Sequence, residues 1–311
     1  MPCAITLGTA VYMLFRLVPA LDEAGNVLGP VCDQVLPLTL FLTLFVTFCK
    51  VDFHQMRLHR WHGGVVLAQL LLVAVILWMA YQAAEGSSRR LLFEAMLTCV
   101  IAPTATAAPV VSGKLGGNIS TMTTLTLVSS LVAAVTIPLA FPLLESVIQV
   151  SFWKAFFIIL QKVAIVLILP LILGWLVQHY VPKLHKWIVA QPNLGFYMWG
   201  CSLSITTGIT VKNICNSGAT VGFLLLIALA ALLMCVVQIV MGRILGRRMN
   251  EEINAGQGMF QKNTGLAIWV AYMYLSPVAS IGAGCYVLWQ NIVNSVEIWQ
   301  YERKKRITAL Q

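Results

Sequence analysis

Three stretches of the chain, Gly63–Ala83, Thr121–Leu144 and Gly218–Met241, contain no charged residue. Each exceeds the roughly 18 apolar residues that suffice to cross the hydrocarbon core of a bilayer. Backbone polar groups inside that core must pair within their own segment or in a closed barrel, so runs of this length and continuity predict membrane helices. Charged residues make up only 10% of the sequence, whereas a soluble domain carries about 25%. With 59% apolar residues and a mean hydropathy of +0.85, the chain is predicted to be an all-α polytopic membrane protein.

The formal charge of +9 does not indicate a nucleic-acid partner. The basic residues fall in the connections between apolar runs and at the C-terminus, where the positive-inside rule places them. Helices are expected at about 4–20, 29–50, 63–84, 90–112, 119–144, 153–181, 187–208, 217–245, 252–275 and 278–300. Turn signals separate them at 22–26, 85–88, 116–118 and 276–277. With both termini inside, the inner connections hold thirteen cations: Lys50, Arg57, Arg60, Lys114, Lys183, Lys186, Arg243, Arg247, Arg248, Arg303, Lys304, Lys305 and Arg306. The outer ones hold five: Arg16, Arg89, Arg90, Lys154 and Lys212. That bias predicts cytoplasmic N- and C-termini. The first apolar run has no basic residues before it, so a cleavable signal peptide is not expected. Eight scattered cysteines show no CxxC spacing, which argues against a disulfide scaffold or a zinc site.

Ten helices divide into two sets of five. An odd number per half makes the second half enter from the opposite face, the inverted-repeat plan of many secondary transporters. The chain is therefore expected to be one transport unit over 1–311, with repeat 1 at about 1–146, repeat 2 at about 147–302 and a basic tail at 303–311. The fourth predicted helix of each half carries helix-breaking residues at its centre. In helix 4 these are Pro103 and Pro109, which lack a backbone donor. In helix 9 they are Gly258 and Gly265 around a polar cluster. Interruptions at matching places in two halves point to a midplane binding site.

Lys262 lies in that cluster, about ten residues from either predicted helix end. An ionisable residue at that depth is costly and normally functional. Gln261, Asn263 and Thr264 beside it can solvate it. Gln69 in helix 3 and Gln238 in helix 8 present amides at similar places in the two halves, for the site or for interhelical bonding. Thr104, Thr106 and Thr126 add hydroxyls beside the Pro-broken segment. Lys162, Glu94 and Glu297 are read as interface residues. His54, His59 and His62, with Asp52, are read as a solvated loop and not a metal site. No serine–histidine–acid set, phosphate loop or metal-ligand spacing stands at membrane depth, so neither an enzyme nor a cofactor is expected.

Several segments resemble the bile acid:sodium symporters: Asn263-Thr264-Gly265-Leu266-Ala267, the Ser276-Pro277 turn, Val287-Leu288-Trp289-Gln290-Asn291-Ile292, the stretch from Ala102-Pro103 to Ile137-Pro138, and Val66-Leu67-Ala68-Gln69. The resemblance implies a panel of helices 1, 2, 6 and 7 and a core of helices 3–5 and 8–10, with helices 4 and 9 crossing. It also implies two sodium ions near the crossing, but most of the positions that would ligate them are substituted. The sodium-binding glutamate falls on Gly258 and a glutamine on Lys262. A serine–asparagine pair falls on Ala108 and Pro109, and a serine falls on Met122. A threonine is kept as Thr126 and a glutamine as Gln69. An ammonium 4 Å from a sodium ion would repel it by roughly 4 kcal/mol at an effective dielectric of 20.

The expected function is secondary transport of a small organic anion across the plasma membrane by alternating access, without sodium coupling in the family's manner. Lys262 then either couples transport to protons or pairs with the anion. Half-helix N-termini would favour a carboxylate or sulfonate. The alternative is a membrane sensor that binds a ligand without moving it. The expected partners are the lipid bilayer and the anion, with no nucleic acid.

Overall fold

The computed structural model describes residues 2–53, 56–144, 151–191 and 193–309. The described residues form fourteen α-helices: α1 (Pro2–Leu17), α2 (Asp22–Cys49), α3 (Arg60–Gln82), α4 (Ser88–Ile101), α5 (Ala108–Lys114), α6 (Ile119–Ala140), α7 (Phe152–Leu167), α8 (Leu169–Tyr180), α9 (Pro182–Val189), α10 (Leu194–Asn216), α11 (Val221–Arg247), α12 (Glu252–Phe260), α13 (Thr264–Tyr274) and α14 (Pro277–Ala309). Among these residues the only β pairing is one isolated antiparallel bridge, Thr104 to Lys262. The boundary expected between the repeats, at 146/147, lies outside the described residues, as does His54.

Five helical stretches are long and apolar enough to cross a membrane: Glu23–Cys49, Arg60–Gln82, Ile119–Leu143, Phe152–Tyr180 and Val221–Arg247. Their outward faces are hydrocarbon. Leu67, Leu71, Val75 and Trp78 of α3 are all exposed, as are Leu225, Leu229, Leu233 and Val240 of α11. Apolar exposure on this scale is uncommon on soluble monomers and suits lipid. Glutamines, asparagines and threonines lie buried instead, the reverse of a soluble domain. The chain is an all-α polytopic membrane protein.

Local chemistry sets the helix starts. Asn118 Oδ1 accepts from the N–H groups of Ser120 and Thr121, Thr220 Oγ1 accepts from Phe223, and Ser87 Oγ accepts from Arg90, each relieving a first-turn donor. Pro277 opens α14, where its missing N–H costs nothing.

Several expectations are corrected. Residues 22–26 are helical, because the chain turns earlier, through a 3-10 turn at Pro19–Leu21. The helix expected at 187–208 begins at Leu194 and runs to Asn216, with the short α9 before it. The helix expected at 153–181 divides at Ile168, just before Pro170. The basic residues 303–306 continue α14 as helix. His62 is no loop residue. It is buried in α3, where Nδ1 accepts from the His59 N–H at 3.1 Å and Nε2 lies 2.9 Å from the Thr121 carbonyl. Glu94 and Glu297 are paired, with Arg90 and Arg243 respectively, and the latter glutamate also accepts from Gln257.

α10 packs against α1 and α2, and α2 against α8. A second group forms where α4 meets α3, α11 and α14, and where α12 meets α11. α13 and α14 face both groups, touching α10 while packing on each other. The candidate site lies at that junction.

Candidate functional site

Two helices are interrupted, and the interruptions face each other. α4 ends at Ile101 and α5 begins at Ala108, so residues 102–107 leave the helix. α12 ends at Phe260 and α13 begins at Thr264, so residues 261–263 do the same. The two extended segments pair as a short antiparallel ladder. The Ala105 N–H donates to the Gln261 carbonyl at 2.8 Å, and the Asn263 N–H donates to the Pro103 carbonyl at 2.9 Å. An interrupted helix exposes carbonyls that membrane hydrocarbon cannot satisfy, and here each break supplies partners for the other.

Side chains close the remaining gaps. Gln69 Nε2 donates to the carbonyls of Val100 and Ala102, at 3.3 and 3.1 Å. Gln238 Nε2 donates to the Cys99 carbonyl at 3.3 Å and to the Tyr286 hydroxyl at 2.9 Å. Tyr286 in turn donates to the Phe260 carbonyl at 2.6 Å. Thr104 Oγ1 donates to Gly258 O at 2.8 Å. Gln69, Gln238 and Thr104 therefore hold the open helix ends together. Replacing Gln69 with leucine leaves two buried carbonyls without a donor, at a cost of about 1–3 kcal/mol. The expected outcome is a lower melting temperature in detergent with little change in anion selectivity.

The glycines and one proline read as helix breakers are placed differently. Gly258 lies inside α12 and Gly265 inside α13. Pro109 opens α5, where proline is tolerated, so only Pro103 stands in a break. The second break contains no glycine or proline. It is held open by tertiary partners: Asn263 Oδ1 accepts from Leu266 N at 3.2 Å and starts α13, while Gln290 Oε1 accepts from the Lys262 N–H at 3.0 Å.

A cleft of about 50 Å³ opens beside the crossing. Thr106, Gln261, Lys262, Asn263 and Thr264 line it; Gln69, Thr104, Thr126 and Gln238 do not. Sequence reasoning missed its other polar walls, Thr43 of α2, Ser202 and Thr206 of α10, and Gln290 and Asn291 of α14. The signal was available in α14, where Gln290, Asn291 and Asn294 put amides on one helical face of an apolar run.

Lys262 is 1% exposed. Its backbone is fully engaged, since its carbonyl accepts from the Thr264 N–H at 2.9 Å, yet its Nζ bonds to none of the described residues. The substituted positions fill with hydrocarbon. Ala108 and Met122 pack with Leu125, Ala255 and Met259 in one buried cluster. A side chain at Gly258 would point at Leu125 and Met122. The Thr126 hydroxyl is turned to its own helix, donating to the Met122 carbonyl at 3.1 Å.

The sodium bile acid symporter family model matches residues 37–245, about two-thirds of the chain. The chain belongs to that family. This symporter-family protein is accordingly a multi-pass membrane transporter of the bile acid symporter type. No curated protein matches the chain. The matched residues include α4, α5, α6 and the first break, and they end before α12. Lys262 and Gly258 lie beyond the matched residues. Gly258, Ala108 and Met122 contribute no side-chain oxygen to this region.

Proposed function

We propose that the protein is a secondary transporter of a small organic anion that works by alternating access and is not driven by sodium. The observation that carries this reading is the buried amino group of Lys262, which has no partner among the described residues, on a residue that lines a polar cleft. A buried charge is normally paired, and an unpaired one is retained at a cost that selection tolerates at functional sites. An anionic solute supplies the missing partner. The cleft lies between the α2–α10 side and the crossing, so opening it requires one helix group to rock against the other, as a panel moves against a core. The reading includes ten spans in two inverted repeats, with the crossed fourth helices of each half at the centre. It also places both termini on the cytoplasmic face of the plasma membrane, on the strength of the thirteen-to-five cation bias. A catalytic role has no support from the family, whose members are transporters.

The test is uptake of a panel of organic anions into proteoliposomes under imposed sodium or proton gradients. Exchanging sodium for choline is expected to leave the initial rate of anion uptake unchanged within error. Sodium-stimulated uptake that vanishes on mutating Thr126 or Gln69 would overturn the sodium-independent reading. Saturable binding with no accumulation under any gradient would instead make the protein a membrane sensor.

A further inference from the structure

A crevice of about 180 Å³ lies apart from the crossing, at the end of α14 where Arg303, Lys304, Lys305 and Arg306 follow one another. Its α14 wall is Glu297, Gln300, Tyr301 and Lys304, spaced i, i+3, i+4 and i+7 on one helical face. Arg243 of α11 and Gln257 of α12 complete the polar lining. Glu297 joins the three helices, since one oxygen takes Arg243 and the other accepts from Gln257 at 2.8 Å. The Tyr301 hydroxyl rests on the α5–α6 turn at Gly116, where a Cβ would stand 2.7 Å from it and where φ of +86° itself calls for glycine. The crevice therefore has braced walls drawn from separate elements.

Two cations and one carboxylate line it, so the lining carries a charge of +1. Of the other carboxylates nearby, Glu252 is paired with Arg247 at 2.9 Å and Glu251 is turned to Asn254 at 2.7 Å, while Arg303, Lys305 and Arg306 outnumber Glu302 on α14. The Arg243 side chain stays 40% exposed while bonding Glu297, and Lys304 is exposed. α14 has 33 residues, about 50 Å of helix against a hydrocarbon core of about 30 Å. Its exposed apolar stripe, Ile292, Val296 and Trp299, ends one turn before Arg303, whose guanidinium lies 5.5 Å from the Trp299 ring. A tryptophan at the end of such a stripe marks the bilayer interface, which sets the crevice at headgroup level. We propose that the crevice seats the phosphodiester of an anionic phospholipid, with Lys304, Arg243 and the Tyr301 hydroxyl donating to its oxygens. One negative charge matches a lining of +1. A zwitterionic headgroup brings a quaternary ammonium that the same cations repel. The volume lies below the roughly 300–1,000 Å³ of pockets that engulf a drug-sized ligand, so the headgroup enters and the acyl chains stay outside along the stripe.

The experiment measures binding of short-chain phosphatidylglycerol, short-chain phosphatidylcholine, glycerol 3-phosphate and inorganic phosphate to the purified protein in detergent, by native mass spectrometry and thermal shift. Wild type is expected to bind phosphatidylglycerol at least about tenfold more tightly than phosphatidylcholine, the size of one charge-assisted hydrogen bond. Lys304→Gln is expected to erase most of that ratio and Tyr301→Phe part of it, with the melting temperature of the lipid-free protein unchanged. Lys305→Gln removes the same charge one residue away, outside the lining, and is expected to keep the ratio. Equal losses in Lys304→Gln and Lys305→Gln would overturn the proposal and assign the preference to the diffuse field of the basic run. Equal binding of the two lipids by wild type would overturn it too. Glycerol 3-phosphate or inorganic phosphate bound as tightly as phosphatidylglycerol would replace the lipid with a soluble phosphate ligand.

Discussion

Lys262→Met is expected to abolish anion uptake while leaving the protein at least as stable as wild type. The two effects have one cause. The Lys262 amino group is buried with no partner among the described residues, so in the empty protein its desolvation is not compensated. Methionine keeps an unbranched stem of similar length and removes the charge, so the resting fold loses a strain and no bond. The bound state loses the only buried lysine or arginine that lines the cleft among the described residues. Removing one member of a buried ion pair typically costs 3–5 kcal/mol, on the order of 10²–10³ in affinity. Initial uptake rates and binding isotherms, read beside melting temperatures in detergent, check both halves. Uptake near the wild-type rate would sink the idea. So would a melting temperature lowered by many degrees, because it would make Lys262 a structural residue whose partner is unseen.

Gly258→Glu is the second large effect. It restores the carboxylate that the resemblance places at this position, and it is expected to destabilise the protein without creating a sodium site. The new side chain would enter the packing of Leu125 and Met122, whose Cε lies 3.4 Å from where a Cβ would stand. Moving a carboxylate into such surroundings costs several kcal/mol unless a partner neutralises it. Lys262 is four residues on, but Gln261 leaves the helix with ψ of 98°, so the lysine does not share the helical face of residue 258. The expected observations are reduced yield of monodisperse protein, a melting temperature well below wild type and no stabilisation by sodium. Sodium-dependent stabilisation of the variant would show that the ion site is latent and lacks only its carboxylate.

The membrane character of the fold was legible in the residues, because apolar length measured against bilayer thickness is a local property. So were the two interruptions, around Pro103 and around the polar cluster that holds Lys262, which could be read from the chain alone. The role of each neighbour could not. Gln69 and Gln238 look equivalent to Gln261 as buried amides, yet their N–H groups serve the carbonyls of Cys99, Val100 and Ala102, whereas Gln261 is a residue of the second break and lines the cleft. Which orphan carbonyl an amide reaches depends on how separate helices pack. Breaker residues misled for the same reason. Gly258 and Gly265 remain helical, while the bond between Gln290 and Lys262 and the ladder to Pro103 and Ala105 open the chain at 261–263. The walls contributed by Thr43, Ser202 and Asn291 come from α2, α10 and α14, far apart in sequence. By itself the sequence determined that this chain lives in a bilayer and sets Lys262 in a polar cluster between apolar runs. Only the tertiary structure decided what surrounds that charge, because contacts between distant segments are set by packing and not by local pattern.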